Sequence, residues 1–100
     1  PVTQRGEVTF TGETDRVYLS AADVIVRDEG AARSIGVTKE GSANTVVWNP
    51  WVDKAAAMAD FGDDEWPAMV CVETANVLDD AVVLRPGERH GTTARYTVTR

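Results

Sequence analysis

Apolar and polar side chains alternate along most of this chain, which is the period-two pattern of half-buried β-strands. Turn residues interrupt the alternation about every 8–12 residues, a spacing typical of β-sandwiches. The pattern predicts an all-β chain of seven or eight strands and one short helix. The predicted strands are 6–11, 16–19, 23–27, 33–39, 45–48, 69–74, 81–84 and 92–99. Short polar connections predict two hairpins, one joining 23–27 to 33–39 and one joining the last two strands.

One segment breaks the alternation and follows the rules of a helix. Asn49 is a favourable N-cap, Pro50 suits the first helical position, and the alanine-rich stretch 55–59 favours a helical body. Gly62 is a suitable stop. Side chains at i, i+4 and i+7 form one face, which we expect to pack on the sheet. That face comprises Trp51, Ala55, Met58 and either Phe61 or Gly62.

The predicted strand 69–74 carries a carboxylate within an apolar run. Met69, Cys71 and Glu73 share one face of this strand, and the opposite face is also largely apolar. Both faces are therefore expected to be buried. A buried carboxylate without a partner is costly, so Glu73 is predicted either at the mouth of a pocket or hydrogen-bonded inside. It is the first candidate for a functional residue.

Size and charge exclude several classes of protein. A chain of 100 residues with 43% hydrophobic content is one domain at most. Its formal net charge of −6 and the absence of a Lys/Arg cluster argue against a nucleic-acid partner. No apolar run approaches the roughly 20 residues that cross a bilayer. A single cysteine suits a reducing compartment, so a cytoplasmic location without membrane contact is predicted.

The short motifs that suggest catalysis or metal binding are weak. Asp60-Phe61-Gly62 spells the kinase metal-binding tripeptide, but the other kinase motifs are absent. The acidic residues 60–65 lack the spacing of an EF-hand loop, and a solvated helix end is the better interpretation. His90 lies in a polar turn and is predicted to be a surface residue, whereas Cys71 is predicted to be an inert core thiol. No metal or cofactor is expected.

Three tryptophans flank the predicted helix, namely Trp48, Trp51 and Trp66. Aromatic faces stack on the apolar faces of sugar rings, although tryptophans are more often plain core residues. Trp48 is the favoured ligand contact because it ends a strand next to a helix start.

Four blocks in order along the chain carry a family resemblance. The chain resembles the glucose-6-phosphate 1-epimerases, or hexose-6-phosphate mutarotases, of the aldose 1-epimerase superfamily. The resemblance implies that residues 1–100 are the C-terminal portion of a galactose mutarotase-like β-supersandwich. The blocks are Glu13-Thr14-Asp15-Arg16-Val17-Tyr18-Leu19, Val46-Val47-Trp48-Asn49-Pro50-Trp51, Met58-Ala59-Asp60-Phe61-Gly62-Asp63-Asp64-Glu65 and Val70-Cys71-Val72-Glu73-Thr74-Ala75.

The resemblance also implies an activity and a set of site residues. Such enzymes interconvert the α and β anomers of a hexose 6-phosphate without cofactor or metal, using a glutamate as general base and a histidine as general acid. By its place in the matching block, Glu73 is the implied base and Asp15 the implied ligand of sugar hydroxyls. Trp48 and Asn49 are implied neighbours of the substrate. Burial on an apolar strand face would disfavour the charge of the glutamate and strengthen it as a base.

The chain departs from the family pattern in one respect. Nothing in it matches the catalytic histidine and the phosphate-binding arginines, which the family carries in its N-terminal half, and His90 does not replace them. The isolated chain is therefore expected to be inactive, with that missing half and a hexose 6-phosphate as its partners. Two alternatives stay open: a non-catalytic sugar-binding or regulatory module, and a self-contained Ig-like interaction domain.

Overall fold

The computed structural model describes residues 2–100 and divides them into two compact units. The first unit comprises the residues up to Arg16 together with Val47–Cys71. The second comprises Val17–Val46 and Val72–Arg100.

Strands dominate the secondary structure, which confirms the predicted all-β class with one short helix. The strands are β1 (Thr14–Tyr18), β2 (Val24–Asp28), β3 (Arg33–Glu40), β4 (Asn44–Asn49), β5 (Cys71–Ala75) and β6 (Thr93–Thr99). The helix α1 spans Trp51–Ala57, and two short 3-10 helices span Trp66–Ala68 and Leu78–Asp80.

The strands form two three-stranded sheets, one in the order β1-β4-β5 and one in the order β2-β3-β6. In the second sheet both pairings are antiparallel, and β3 is the middle strand. The β2–β3 pairing runs from Val24↔Val37 to Asp28↔Arg33 and confirms the predicted hairpin. Ala32 closes this hairpin with a φ of 52°, in the left-handed region that a non-glycine residue rarely adopts.

Two predicted strands are wrong. Residues 6–11 and 81–84 are not strands, although both stretches have β-forming sequences. The second predicted hairpin is wrong as well, because β6 pairs with β3 instead of with residues 81–84. Strand propensity is realised only where a neighbouring strand supplies hydrogen bonds and packing. In the described residues these two stretches have no strand to pair with, and Val83 is 88% exposed.

The helix α1 forms where predicted but is shorter. It ends at Ala57 instead of continuing to Gly62, and the Met58 N–H closes the last turn on the Ala55 carbonyl at 3.2 Å. The N-cap is Pro50, one residue later than expected, although the Asn49 side chain still accepts a hydrogen bond from the first helical N–H. Ala55 is fully buried, whereas the Trp51 and Met58 side chains on the same face are half-buried.

The burial predicted for strand 69–74 is wrong at its polar position. Strand β5 begins at Cys71, and its residues are half-buried except for Glu73, which is exposed. Among the described residues the buried apolar side chains are Val37, Val47, Pro50 and Ala55. The core within each unit is therefore small, and most apolar strand residues keep part of their surface in solvent.

Candidate functional site

The four predicted site residues lie on the three strands of the β1-β4-β5 sheet. Asp15 lies on β1, Trp48 and Asn49 on the middle strand β4, and Glu73 on β5. Asp15 is exposed and lies inside the strand instead of in the loop before it. The first three residues belong to the first unit and Glu73 belongs to the second.

Glu73 points to solvent, which contradicts the burial expected from the sequence. The alternation of side chains along β5 is correct, but its neighbours Cys71 and Ala75 on the same face are only half-buried. A strengthened base was expected from desolvation of this carboxylate. In the described residues Glu73 is exposed, so the burial on which that expectation depends is not present there.

Asn49 is buried and bonded through all of its amide. It is 3% exposed, and its Nδ2 donates to the Trp66 and Met69 carbonyl oxygens, each at 2.9 Å. Its Oδ1 accepts the Trp51 N–H at 2.9 Å. An amide has two N–H donors, so both are used by backbone. The side chain that the sequence places beside the substrate thus ties the end of β4 to the segment before β5.

Trp51 is held in an unusual backbone conformation next to this amide. Its φ is 60°, and the left-handed region costs an L-residue about 1–2 kcal/mol. The indole ring contacts that of Trp66 with a centroid separation of 4.4 Å and an interplanar angle of 46°. Trp48, on β4, is half-buried. The sequence predicted tryptophans around the helix. Apart from the Asn-Pro-Trp order, nothing in the sequence predicts the positive φ of Trp51 or its contact with Trp66.

The end of β5 is fixed by a buried serine that the sequence did not single out. The Ser42 Oγ lies 2.8 Å from the Asn44 carbonyl oxygen and 2.5 Å from that of Ala75, either of which can accept its single hydroxyl hydrogen. The same Oγ accepts the N–H of both residues. Ala75 lies two residues after Glu73 on the same strand face. The turn before β4 therefore determines the backbone position of the strand that carries the candidate base.

A polar network continues from this point to the single histidine. The Asn76 amide donates to the Gly41 carbonyl and to Asp80, and its Oδ1 lies 2.9 Å from His90 Nε2. The Ala43 N–H, at 2.8 Å, and Asn76 both donate to Asp80 and hold its pKa below 3.8. His90 is exposed, as predicted, and its ring is hydrogen-bonded to Asn76 in the loop after β5.

Lys39 is a second residue that the sequence left unnoticed. Its Nζ donates to the Ser20 and Asn44 carbonyl oxygens, at 3.0 and 2.6 Å, and to the Thr45 hydroxyl. Burial lowers the pKa of Lys39, against a smaller opposing effect of the Asp80 charge. Its ammonium is used to join the loop before β2 to the start of β4, so it is not available as a phosphate ligand.

Within residues 2–100 no cluster of three or more His, Cys, Asp or Glu side chains could hold a metal ion. The same residues contain no helix with the length and apolar character of a membrane span.

Comparison with known proteins gives a consistent result. The family model for aldose 1-epimerase matches residues 1–97. A protein from Cenchrus ciliaris named "Putative glucose-6-phosphate 1-epimerase" is 46% identical over 88 residues, which are 86% of this chain and 26% of that protein. A protein of the same name from Escherichia coli is 37% identical over 86 residues, 85% of this chain and 29% of its own length.

These matches cover only a part of each relative. The chain spans between a quarter and a third of the length of these curated relatives. No solved structure matches it.

Proposed function

Because the chain belongs to the aldose 1-epimerase family, we propose that it is part of a hexose-6-phosphate mutarotase that interconverts the α and β anomers of glucose 6-phosphate. The observation that carries this proposal is the match of the family model over residues 1–97, together with the names of relatives 37% and 46% identical to the chain. In this proposal the chain is the C-terminal portion of a mutarotase-like β-sandwich domain, as the family resemblance implies, and its relatives are about three times as long.

The proposed chemistry needs two proton-transfer groups and no cofactor. Glu73 removes the proton from the anomeric hydroxyl while an acid protonates the ring oxygen, so that the ring opens to an aldehyde. Rotation about the C1–C2 bond and reclosure give the other anomer. Asp15 binds sugar hydroxyls and Trp48 stacks on the ring. Asn49 contributes by holding the end of β4, since its amide already bonds three backbone groups.

The acid and the phosphate ligands are proposed to come from the remaining part of the polypeptide. A chain with a net charge of −6 repels a dianionic phosphate unless basic residues elsewhere offset it. The candidate cation Lys39 is occupied by three oxygen acceptors, and the single histidine is bonded to Asn76 and Gly41. We therefore expect the isolated chain not to accelerate anomer exchange.

We also propose a cytoplasmic location, for the reason given in the sequence analysis. The sequence contains a single cysteine, Cys71, so it cannot form a disulfide within the chain, which suits a reducing compartment.

The test uses a reconstituted protein, made by co-expressing this chain with the part of the Escherichia coli relative outside its 86 matched residues. Anomer exchange of glucose 6-phosphate is measured by magnetisation-transfer NMR. Glu73→Gln is expected to lower the exchange rate by about 10²–10⁴-fold, the usual contribution of a general base. Glu88→Gln, in the loop before β6, is the matched control and should leave the rate unchanged. Equal rates for Glu73→Gln and the unsubstituted protein would refute the assignment of the base.

A second candidate function is favoured by the exposure of Glu73. Glu73 lacks the burial expected of the catalytic base, so the second candidate is a non-catalytic sugar-binding or regulatory module. Titration of glucose 6-phosphate against the chain and against the reconstituted protein separates the two functions. Saturable binding with no exchange in either sample would support the binding module, whereas exchange in the reconstituted protein would support the mutarotase.

A further inference from the structure

Residues 41–44, which lead from β3 into β4, are hydrogen-bonded to the segment 75–80, which begins with the last residue of β5. Both stretches belong to the second unit. Each of the four residues in the first stretch takes part, two through backbone groups and two through side chains. The bonds are Asn76 Nδ2 to the Gly41 carbonyl at 2.9 Å, Ser42 Oγ to the Ala75 carbonyl at 2.5 Å, the Ala43 N–H to Asp80 at 2.8 Å and Asn44 Nδ2 to the Val77 carbonyl at 2.7 Å.

Ser42 is the member of this set that bonds β5 itself, whereas the other three bond the loop after it. Its Oγ lies 2.5 Å from the Ala75 carbonyl oxygen and accepts the Ala75 N–H at 3.1 Å. Both backbone groups of the last β5 residue thus bond one side-chain oxygen, a role that a neighbouring strand usually has in a sheet. Ser42 is only 9% exposed, so solvent reaches these groups poorly if the hydroxyl is removed.

The backbone that carries the Ser42 hydroxyl is fixed from its other side. Gly41 has a φ of 85°, which favours glycine, and a Cβ at this position would overlap the Gly91 carbonyl oxygen. His90 Nε2 also lies 3.1 Å from the Gly41 carbonyl oxygen. Because residues 41–44 are held between residues 90–91 and the end of β5, the hydroxyl has a defined position from which to hold Ala75.

The candidate base lies close to this point on the same strand. Glu73 and Ala75 are two residues apart on β5, which places their Cα atoms about 7 Å apart along the strand. The Glu73 side chain is exposed, so packing contributes little to its position and the position of its backbone matters more. A displacement of β5 at Ala75 is therefore passed on to the carboxylate.

We propose that Ser42 is a positioning residue of the mutarotase, whose hydroxyl fixes the end of β5 and thereby holds the Glu73 carboxylate where it can take the proton of the anomeric hydroxyl. The inference rests on the proposed function, since it takes Glu73 to be the base. Ser42 itself touches neither the sugar nor the transferred proton. A misplacement of a catalytic group by about 1 Å can lower a rate about 10²-fold, so a single buried hydroxyl is enough to matter.

The test measures anomer exchange of glucose 6-phosphate in the reconstituted protein, at saturating and at lower substrate concentrations. Ser42→Ala is expected to lower kcat by about 10- to 100-fold and to change KM by less than about twofold, because it disturbs the base and not substrate binding. Ser42→Cys keeps a weak donor and acceptor at nearly the same volume, so it should fold even if the alanine variant does not, and its kcat should be intermediate.

Val37→Ala is the control for a loss of stability alone. Val37 is buried in the middle of β3, in the same unit as Ser42, and its cross-strand partners lie on β2 and β6. Its truncation leaves a cavity that destabilises the chain, but it should leave kcat unchanged. Circular dichroism verifies that each variant is folded, and rates are compared per folded protein.

A double variant tests whether Ser42 acts through Glu73. In the Glu73→Gln background Ser42→Ala should cause no further loss of kcat, because two residues that act through one group are not additive. An additional loss of the same size in that background would overturn the proposal. A raised KM with an unchanged kcat in Ser42→Ala would overturn it as well, and so would an unchanged kcat in the folded Ser42→Ala or Ser42→Cys protein.

The outcomes also separate this proposal from the proposed function. A loss of exchange with Glu73→Gln but none with the Ser42 variants refutes the positioning role and leaves the mutarotase in place. No exchange in the unsubstituted reconstituted protein, or a rate unchanged by Glu73→Gln, refutes the proposed base and the positioning role together.

Discussion

Asn49 joins three backbone groups through its side-chain amide. The carbonyls of Trp66 and Met69 and the N–H of Trp51 all bond its buried amide. This single side chain therefore determines where β4 ends, where the helix begins and how the next segment approaches. These bonds give Asn49 a structural role that does not depend on contact with a substrate.

At the residue scale, Asn49→Ala should strongly destabilise the chain. The substitution leaves buried polar groups unsatisfied, each costing about 1–3 kcal/mol, so a loss of at least about 2 kcal/mol in the free energy of unfolding is expected. Urea denaturation followed by tryptophan fluorescence measures it. Asn76→Ala is the control, because its bond to the Gly41 carbonyl is exposed to solvent and should cost less. Equal losses for the two variants would contradict this role of Asn49.

The contacts of individual side chains are also the part of the structure that the sequence predicts least well. The Asn-Pro order indicates a helix start, and the structure confirms that Asn49 bonds the first helical N–H. Its bonds to carbonyls 17 and 20 residues away have no such signal, because no local pattern identifies which distant carbonyl meets a given amide. The exposure of Glu73 was missed for a related reason: alternation indicates a face, but not what covers it.

At the scale of elements, the β2–β3 hairpin is the part of the fold that was best predicted. Its two strands and its turn lie next to each other in sequence, so local patterns contain all the information needed. The stretches 6–11 and 81–84 have equally good strand sequences, yet they form no strand. A strand requires a partner, and a partner distant in sequence is not visible in the local pattern.

The turn of this hairpin makes a prediction about stability. Ala32 is exposed and adopts a φ of 52°, a conformation that glycine adopts without steric cost. Ala32→Gly should therefore raise the free energy of unfolding by up to about 1 kcal/mol, measured by thermal denaturation. Ala31→Gly, at an exposed neighbour whose φ is not positive, should lower it. Destabilisation by Ala32→Gly would show that the turn relaxes in solution.

At the scale of the whole molecule, two carboxylates connect stability to pH. Hydrogen bonds from Arg33 and the Ala31 N–H lower the pKa of Asp28, and those from the Ala43 N–H and Asn76 lower the pKa of Asp80. Both values lie below 3.8, so near that pH the unfolded chain binds more protons than the folded chain. The stabilisation is therefore complete above about pH 5 and is lost as the pH falls through the folded values.

Acid unfolding monitored by circular dichroism tests this dependence. Stability should fall progressively below about pH 5, and Asp80→Asn should make the fall shallower because it removes one of the two linked groups. Asp60→Asn, at an exposed position after the helix, serves as the control and should leave the slope unchanged. A slope that is the same in the Asp80→Asn variant would show that this aspartate is not linked to folding.

The pairing of β3 with β6 also implies an order of events during folding. Glu40 pairs with Thr93, so about 50 residues separate the nearest partners, whereas four residues close the β2–β3 hairpin. Loop-closure entropy alone makes the longer connection about 2 kcal/mol less favourable. The hairpin should therefore form early, and β6 should be added late, as expected where partners are distant along the chain. Until then one edge of β3 stays unpaired, and in that interval the chain is most exposed to mispairing with its neighbours.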